Sequence, residues 1–215
     1  MKIVIIGGSS GIGDSCLKQL KSHHTVINLS RRRNKLADYN YYCDVTNYDS
    51  VNSAFNTMIH DLGFVDVLIY SAGFVEPQNL LDIKPKTWDK TISTNLSGAF
   101  YATQLFTRYC KENSKIIYIA STAGTRPSPN WSAYSASKSG LINFGITMSE
   151  ELKKYKIKTY VLSCGRCATP LRAKLAPEED PNSIMQPEEV AKLIDDIIED
   201  EWLLDGQNII VKRNA

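Results

Sequence analysis

KIVIIGGSSGIG, residues 2–13, decides the fold. Ile3 to Ile6 form a short β-branched run, too short for a helix and typical of a buried strand. Gly7, Gly8, Gly11 and Gly13 follow at once. A tight turn needs glycine's access to positive φ, and a phosphate group can come close to backbone only where no Cβ intervenes. The residues from Ile12 onward resume a helical pattern. The helix start supplies unpaired N–H groups and a partial positive charge, which together favour an anion. A glycine cluster between a first strand and a first helix therefore predicts a dinucleotide pyrophosphate site, built on Gly7, Ser9, Ser10, Gly11, Ile12 and Gly13.

The rest of the chain continues the same alternation. Strands are expected at 2–6, 25–30, 41–45, 66–71, 115–121, 158–163 and 208–213. Helices are expected near 12–21, 48–61, 88–111, 132–154 and 187–200. The strands are almost continuously apolar, as in parallel sheets covered on both faces. Strand–helix–strand repetition then implies right-handed crossovers and a doubly wound sheet. The chain has 215 residues, 43% of them hydrophobic and 22% charged, with a net charge of +2. These values suit one domain of 1–215 with an ample core and exclude a polybasic surface for nucleic acid. No apolar run approaches a membrane span, and the four apolar residues after Lys2 are too few for a signal-peptide core. The expectation is a cytoplasmic protein with reduced cysteines.

Tyr134 and Lys138 in WSAYSASKSG (131–140) are four residues apart, so a helix places them on one face. A free phenol, with a pKa of ~10, is a poor acid or base at neutral pH. A nearby ammonium would lower that value, although Tyr and Lys at this spacing also occur on ordinary surface helices. Ser121 ends the fifth strand in IASTAG, where a hydroxyl can hold a developing oxyanion, with Thr122 as the neighbouring alternative.

The glycine spacing G-x-x-x-G-x-G ending in GIG, Y-x-x-x-K at 134–138, and Ser121 with Gly124 together resemble the short-chain dehydrogenase/reductase family. The resemblance runs from Lys2 to about Arg213. It implies a Rossmann-type α/β fold and hydride transfer between a nicotinamide cofactor and a small-molecule carbonyl or alcohol. Tyr134 would be the general acid/base and Ser121 the oxygen donor. Asn95, on the helix over 88–111, would hold a water in a proton relay to Lys138. Asp44 and Val45 would flank the adenine, and Ser71-Ala72-Gly73 would contact the cofactor. So would the backbone at Gly165 and Cys167, and Thr169. The chain departs from the family where Ile6 replaces a threonine, Ser71 an asparagine and Cys164 a proline. Each change predicts a small loss of local rigidity.

The second strand ends at Ser30 and is followed by Arg31, Arg32 and Arg33, with no carboxylate before Asp38. In dinucleotide folds an acidic residue here binds the ribose 2′-hydroxyl, whereas arginine accommodates a 2′-phosphate. Ser30, Arg31 and Arg32 therefore predict NADP(H) over NAD(H).

Cys164 and Cys167 form a C-x-x-C pair that a redox dithiol or half a zinc site would also use. A structural zinc site needs four ligands, and the histidines His23, His24 and His60 show no metal-type spacing, so no metal is expected. Residues 170–186 lie after the sixth strand, where ligands of such sheets bind, and are expected to form a short substrate lid. Thr122, Arg126, Trp131, Arg166 and 171–175 are expected to face the substrate, with the arginines suited to an anionic group. The chain ends directly after the last strand, which leaves less material for tetramer contacts. A homo-oligomer is expected, with a dimer through the helices near 88–111 and 132–154. The competing reading is a non-catalytic NADP-binding sensor or scaffold, which would have no need of the acid/base set.

Overall fold

The computed structural model describes residues 1–199 and 204–213. Seven parallel strands form one sheet in the order β3-β2-β1-β4-β5-β6-β7. They are β1 (Lys2–Ile6), β2 (Thr25–Ser30), β3 (Tyr39–Tyr42), β4 (Val65–Tyr70), β5 (Cys110–Ser121), β6 (Lys158–Cys164) and β7 (Asn208–Val211). The helices are α1 (Gly11–Leu20), α2 (Tyr48–Leu62), α3 (Pro85–Ile92), α4 (Gly98–Tyr109), α5 (Ser132–Leu152), the short α6 (Pro170–Leu175) and α7 (Pro187–Glu199). The chain winds outward from β1 to β3, then returns to place β4 on the other side of β1. That reversal opens a crevice at the carboxyl ends of β1 and β4, where doubly wound sheets bind ligands.

The uniform apolarity of the strands follows from this layering. In β1, Val4 and Ile6 point into one core while Ile3 and Ile5 point into another, and all four are fully buried. The first core packs against α2, α4 and α5 through residues such as Phe55, Phe106 and Leu141. The second packs against α1 and α7 through Leu17, Leu20, Val190 and Ile194. Successive side chains of a strand face opposite layers, and both layers exclude water, so polarity never alternates. Among the described residues no helix is long and apolar enough to cross a membrane.

Several boundaries differ from the sequence expectation. The third strand pairs over Tyr39–Tyr42 rather than 41–45, because its partner β2 ends at Ser30, opposite Tyr42. Cys43, Asp44 and Val45 thereby leave the sheet and become a wall of the crevice. The helix expected at 88–111 starts at Pro85, is interrupted by a π-helical turn at Ser93–Ser97 and stops at Tyr109. Strand pairing then begins at Cys110, five residues earlier than expected. In the last strand, Lys212 and Arg213 lie beyond the paired residues. Residue 200, the expected end of the last helix, lies outside the described residues.

Candidate active site

The glycine turn is shaped by contact on two sides. Gly7 has φ of +88°, and a Cβ there would stand 2.7 Å from the backbone nitrogen of Ala72. A Cβ on Gly13 would stand 2.5 Å from the Gly7 carbonyl oxygen. Side chains at either position would push the turn off the sheet, so the close approach of α1 to β1 depends on both glycines. Ile6, where a threonine would brace the turn, is instead wholly buried in the first core, a burial that contributes roughly 1.5–3 kcal/mol. Backbone bonds hold the turn: Gly7 N–H donates to Leu29 O at 3.0 Å and Ser71 N–H to Ile6 O at 2.9 Å. Ser10 caps α1 in an extended conformation without a side-chain capping bond, which leaves first-turn N–H groups facing the crevice.

The crevice is a cleft of ≈ 1280 Å³ that runs from the glycine turn to the loop after β6. Every residue predicted for catalysis or cofactor binding lines it except Gly13 and Asn95. Gly13 lies behind the turn. Asn95 is fully buried in the π-helical turn, where its Oδ1 accepts from Phe74 N–H at 2.7 Å. Its Nδ2 donates to Phe74 O and to Ser137 Oγ, both at 2.9 Å. Both amide protons are thus taken by protein groups, and this side chain fixes the loop after β4 against α5.

Tyr134 and Lys138 lie on α5 and Ser121 at the end of β5, and all three border the same end of the cleft. The Ser121 hydroxyl stands beside the Tyr134 phenol. Burial pushes the Tyr134 phenol up to about 12; the neighbouring Ser121 hydroxyl works the other way, and Cys164 adds to the rise. This corrects the expectation that the lysine lowers it. Lys138 Nζ donates to Ile119 O at 2.8 Å and sits 5.8 Å from the centre of the tyrosine ring. Burial brings the Lys138 ammonium down to about 8, against a small opposing effect of Cys164. Two titratable groups with displaced pKa values at one end of a cleft mark a functional site.

At the opposite end, Arg31 and Arg32 project from the end of β2 and are exposed. Ser30 lines the cleft, but its hydroxyl already donates to Arg32 O at 2.5 Å. Asp44 is held below the ordinary carboxylate range. Burial opposes its charge, but hydrogen bonds from the Thr46 N–H and hydroxyl, with Arg31 and Lys90 nearby, outweigh it. Lys90 escaped the sequence reading. It belongs to α3, outside every motif, and only the tertiary fold brings it to the cleft.

The loop after β6 crosses the mouth of the cleft. Thr169 caps α6 by accepting from Arg172 N–H, and its methyl would lie 3.2 Å from a Cβ on Gly11, so this loop touches the glycine turn. Cys167 pairs with Met185, with Ala168 N–H donating to Met185 O at 2.8 Å. Arg126 lines the cleft together with Arg166 and Arg172, but the last two are engaged. Glu179 accepts from Arg172 Nε at 2.6 Å and from Arg166 Nη1 at 2.9 Å. Cys164 and Cys167 are free and buried, and burial pushes both thiols up to about 12.

The model of the short chain dehydrogenase family matches residues 1–180. This chain belongs to the short-chain dehydrogenase family of oxidoreductases. A 3-oxoacyl-[acyl-carrier-protein] reductase of Thermotoga maritima is 30% identical over 172 residues, 75% of this chain and 70% of that protein. Among solved structures, the short-chain dehydrogenase of Burkholderia cenocepacia in complex with NADP is similar with a TM-score of 0.87. It shares 21% identity, covering 97% of this chain and 95% of that one. A 3-ketoacyl-(acyl-carrier-protein) reductase of Brucella melitensis complexed with NADH has a TM-score of 0.87 and 22% identity, covering 98% and 96%. Both solved structures share the overall fold of this chain.

Proposed function

We propose that this short-chain dehydrogenase uses NADP(H) to interconvert a carbonyl and an alcohol, with Tyr134 as the proton donor and acceptor. The observation that carries this reading is the convergence of Ser121, Tyr134 and Lys138 on the wall of a cleft that begins at a phosphate-type glycine turn. The cleft suits a dinucleotide. A Cβ at Gly7 or Gly13 would collide with the backbone of Ala72 or of Gly7, so the bare turn keeps the shape a pyrophosphate needs, and Arg31 stands where a 2′-phosphate would need a cation. The first turn of α1 would take the pyrophosphate, Asp44 and Val45 the adenine, and Ser71 to Gly73 the middle of the dinucleotide. Gly165, Cys167 and Thr169 would border the nicotinamide. When bound, that ring supplies or accepts the hydride.

The chain's own groups handle the proton. A phenol that stays protonated to about 12 can donate to the substrate oxygen during reduction, while Ser121 holds that oxygen. Lys138, one helical turn along the same cleft wall, would bind cofactor hydroxyls. Residues 170–186, fastened by Glu179, would serve as a lid. Exposed Trp88 on α3 and Phe100 on α4 support a dimer through these helices, which light scattering can test. The reductase activity named for the Thermotoga maritima relative makes reduction of 3-oxoacyl compounds the first reaction to assay.

The test is Tyr134→Phe, assayed on a substrate found by screening carbonyl compounds for NADPH oxidation. Turnover is expected to drop roughly 10²–10⁴-fold, the usual contribution of a positioned acid, with NADPH affinity retained. Unchanged turnover would overturn the role of Tyr134. Tight NADPH binding without any turnover across a broad panel would favour a sensor.

A further inference from the structure

The turn that follows α1 meets α7 on the opposite side of the molecule's second core. His23 and His24 stand there against Asp195 and Glu199, two carboxylates one helical turn apart. One ligand-capable atom from each of the four lies within 4.8 Å of the other three. His23 Nε2 is 3.0 Å from Asp195 Oδ1, and His24 Nε2 is 2.8 Å from Glu199 Oε1. A tetrahedral zinc ion with bonds of about 2.0–2.2 Å keeps its ligand atoms about 3.4 Å apart. The four atoms are already gathered near that spacing.

A second observation points to a missing partner. The His24 side chain is 6% exposed, yet its buried Nε2 makes no hydrogen bond. Glu199 Oε1 is close enough for one, but it lies off the direction that the ring nitrogen requires. Burying a ring nitrogen this way costs free energy unless something takes up its lone pair or proton. Around the cluster, hydrogen bonds of the kind that orient metal ligands are in place. Gln19 Nε2 donates to Asp195 Oδ2 at 2.9 Å, and Ser22 Oγ lies 2.7 Å from His23 Nδ1. The other ring nitrogen of His24 is 3.4 Å from the amino nitrogen of Met1, at the edge of hydrogen-bonding range. His23 and Glu199 are 41% and 51% exposed, which leaves an ion a way in from solvent.

We propose that His23, His24, Asp195 and Glu199 form a site for zinc or a similar divalent transition ion that ties the end of α1 to α7. Two imidazoles with two carboxylates suit a borderline ion of this kind, whereas calcium and magnesium favour all-oxygen sets. Four protein ligands close the coordination sphere, so the ion would be structural. It would fix the helix whose other end forms the glycine turn. His23 and Asp195 alone are 172 positions apart in sequence, so no local spacing reveals the set.

The test is titration of chelator-stripped, full-length protein with zinc chloride by calorimetry, alongside cobalt(II) substitution read by visible absorption. Saturable binding of one ion at micromolar concentration or tighter, a four-coordinate cobalt spectrum and a raised Tm are expected. His23→Gln and Glu199→Gln change exposed side chains and should leave folding intact. Each should weaken zinc binding at least by the roughly 10–100-fold that loss of even an orienting partner costs. Binding only at millimolar zinc, a six-coordinate cobalt spectrum, or equal affinity in the double variant would overturn the proposal and leave two ordinary histidine–carboxylate pairs.

Discussion

Lys138 stands one helical turn from Tyr134, yet its Nζ is spent on the Ile119 carbonyl at 2.8 Å rather than on the tyrosine. The lysine is buried with its charge matched only by a neutral acceptor. That explains why its pKa falls to about 8 from the usual 10.5. It also makes Lys138 a cost to the cofactor-free fold.

The cost depends on pH in a definite direction. Below about pH 8 the lysine is charged in both the folded and the unfolded chain, and the penalty is complete. Above 10.5 it is neutral in both, and the penalty vanishes. Stability of the cofactor-free protein should therefore rise with pH across this window, by on the order of 3 kcal/mol relative to Lys138→Met. Urea denaturation of both proteins from pH 7 to 10.5 checks it. Parallel curves would show that Lys138 is not desolvated.

Asn95 should matter first to stability. Its replacement by alanine leaves the half-buried Phe74 N–H and Phe74 O without their partner, while Ser137 Oγ keeps its bond to Tyr134 O. A loss of roughly 2–4 kcal/mol is expected, since each buried polar group left without a partner costs about 1–3 kcal/mol and neighbours partly compensate. Chemical denaturation of Asn95→Ala measures it. A variant as stable as the parent but slow in turnover would return Asn95 to the proton relay.

Arg31→Glu should reverse the cofactor choice. One charge-assisted bond to a phosphate contributes about 1.5–3 kcal/mol, so NADPH affinity should fall roughly 10–100-fold. NADH, which has no 2′-phosphate to repel, should lose little or gain. Fluorescence titration with both nucleotides decides between this and a merely solvated arginine, for which both affinities would stay put.

Cys164 and Cys167 should be inert in the folded protein. Thiols raised to about 12 hold almost no thiolate at neutral pH, and both side chains are buried. Alkylation mapped by mass spectrometry should reach them only on denaturation. Labelling of either one as fast as a free cysteine would restore the redox reading of the C-x-x-C pair.

Much of this protein is local, and local features are legible. The glycine turn, the helix carrying Tyr134 and Lys138, and the apolar strands each depend on short-range geometry: φ at Gly7, a four-residue helical spacing, and burial on both faces of a sheet. The sequence alone determined the α/β class, the family and most of the motif residues that line the cleft. Interactions between distant segments it could not determine. The lysine's partner is a carbonyl on β5, and Asn95 is bound by a loop twenty-one residues away. Glu179 claims two of the three arginines that looked ready for a substrate, and α7 brings carboxylates to His23 and His24. Which group meets which is set by how the layers stack, and with it the charge state of Lys138 and Tyr134. A pKa follows burial and neighbours in space, and only the tertiary structure supplies both.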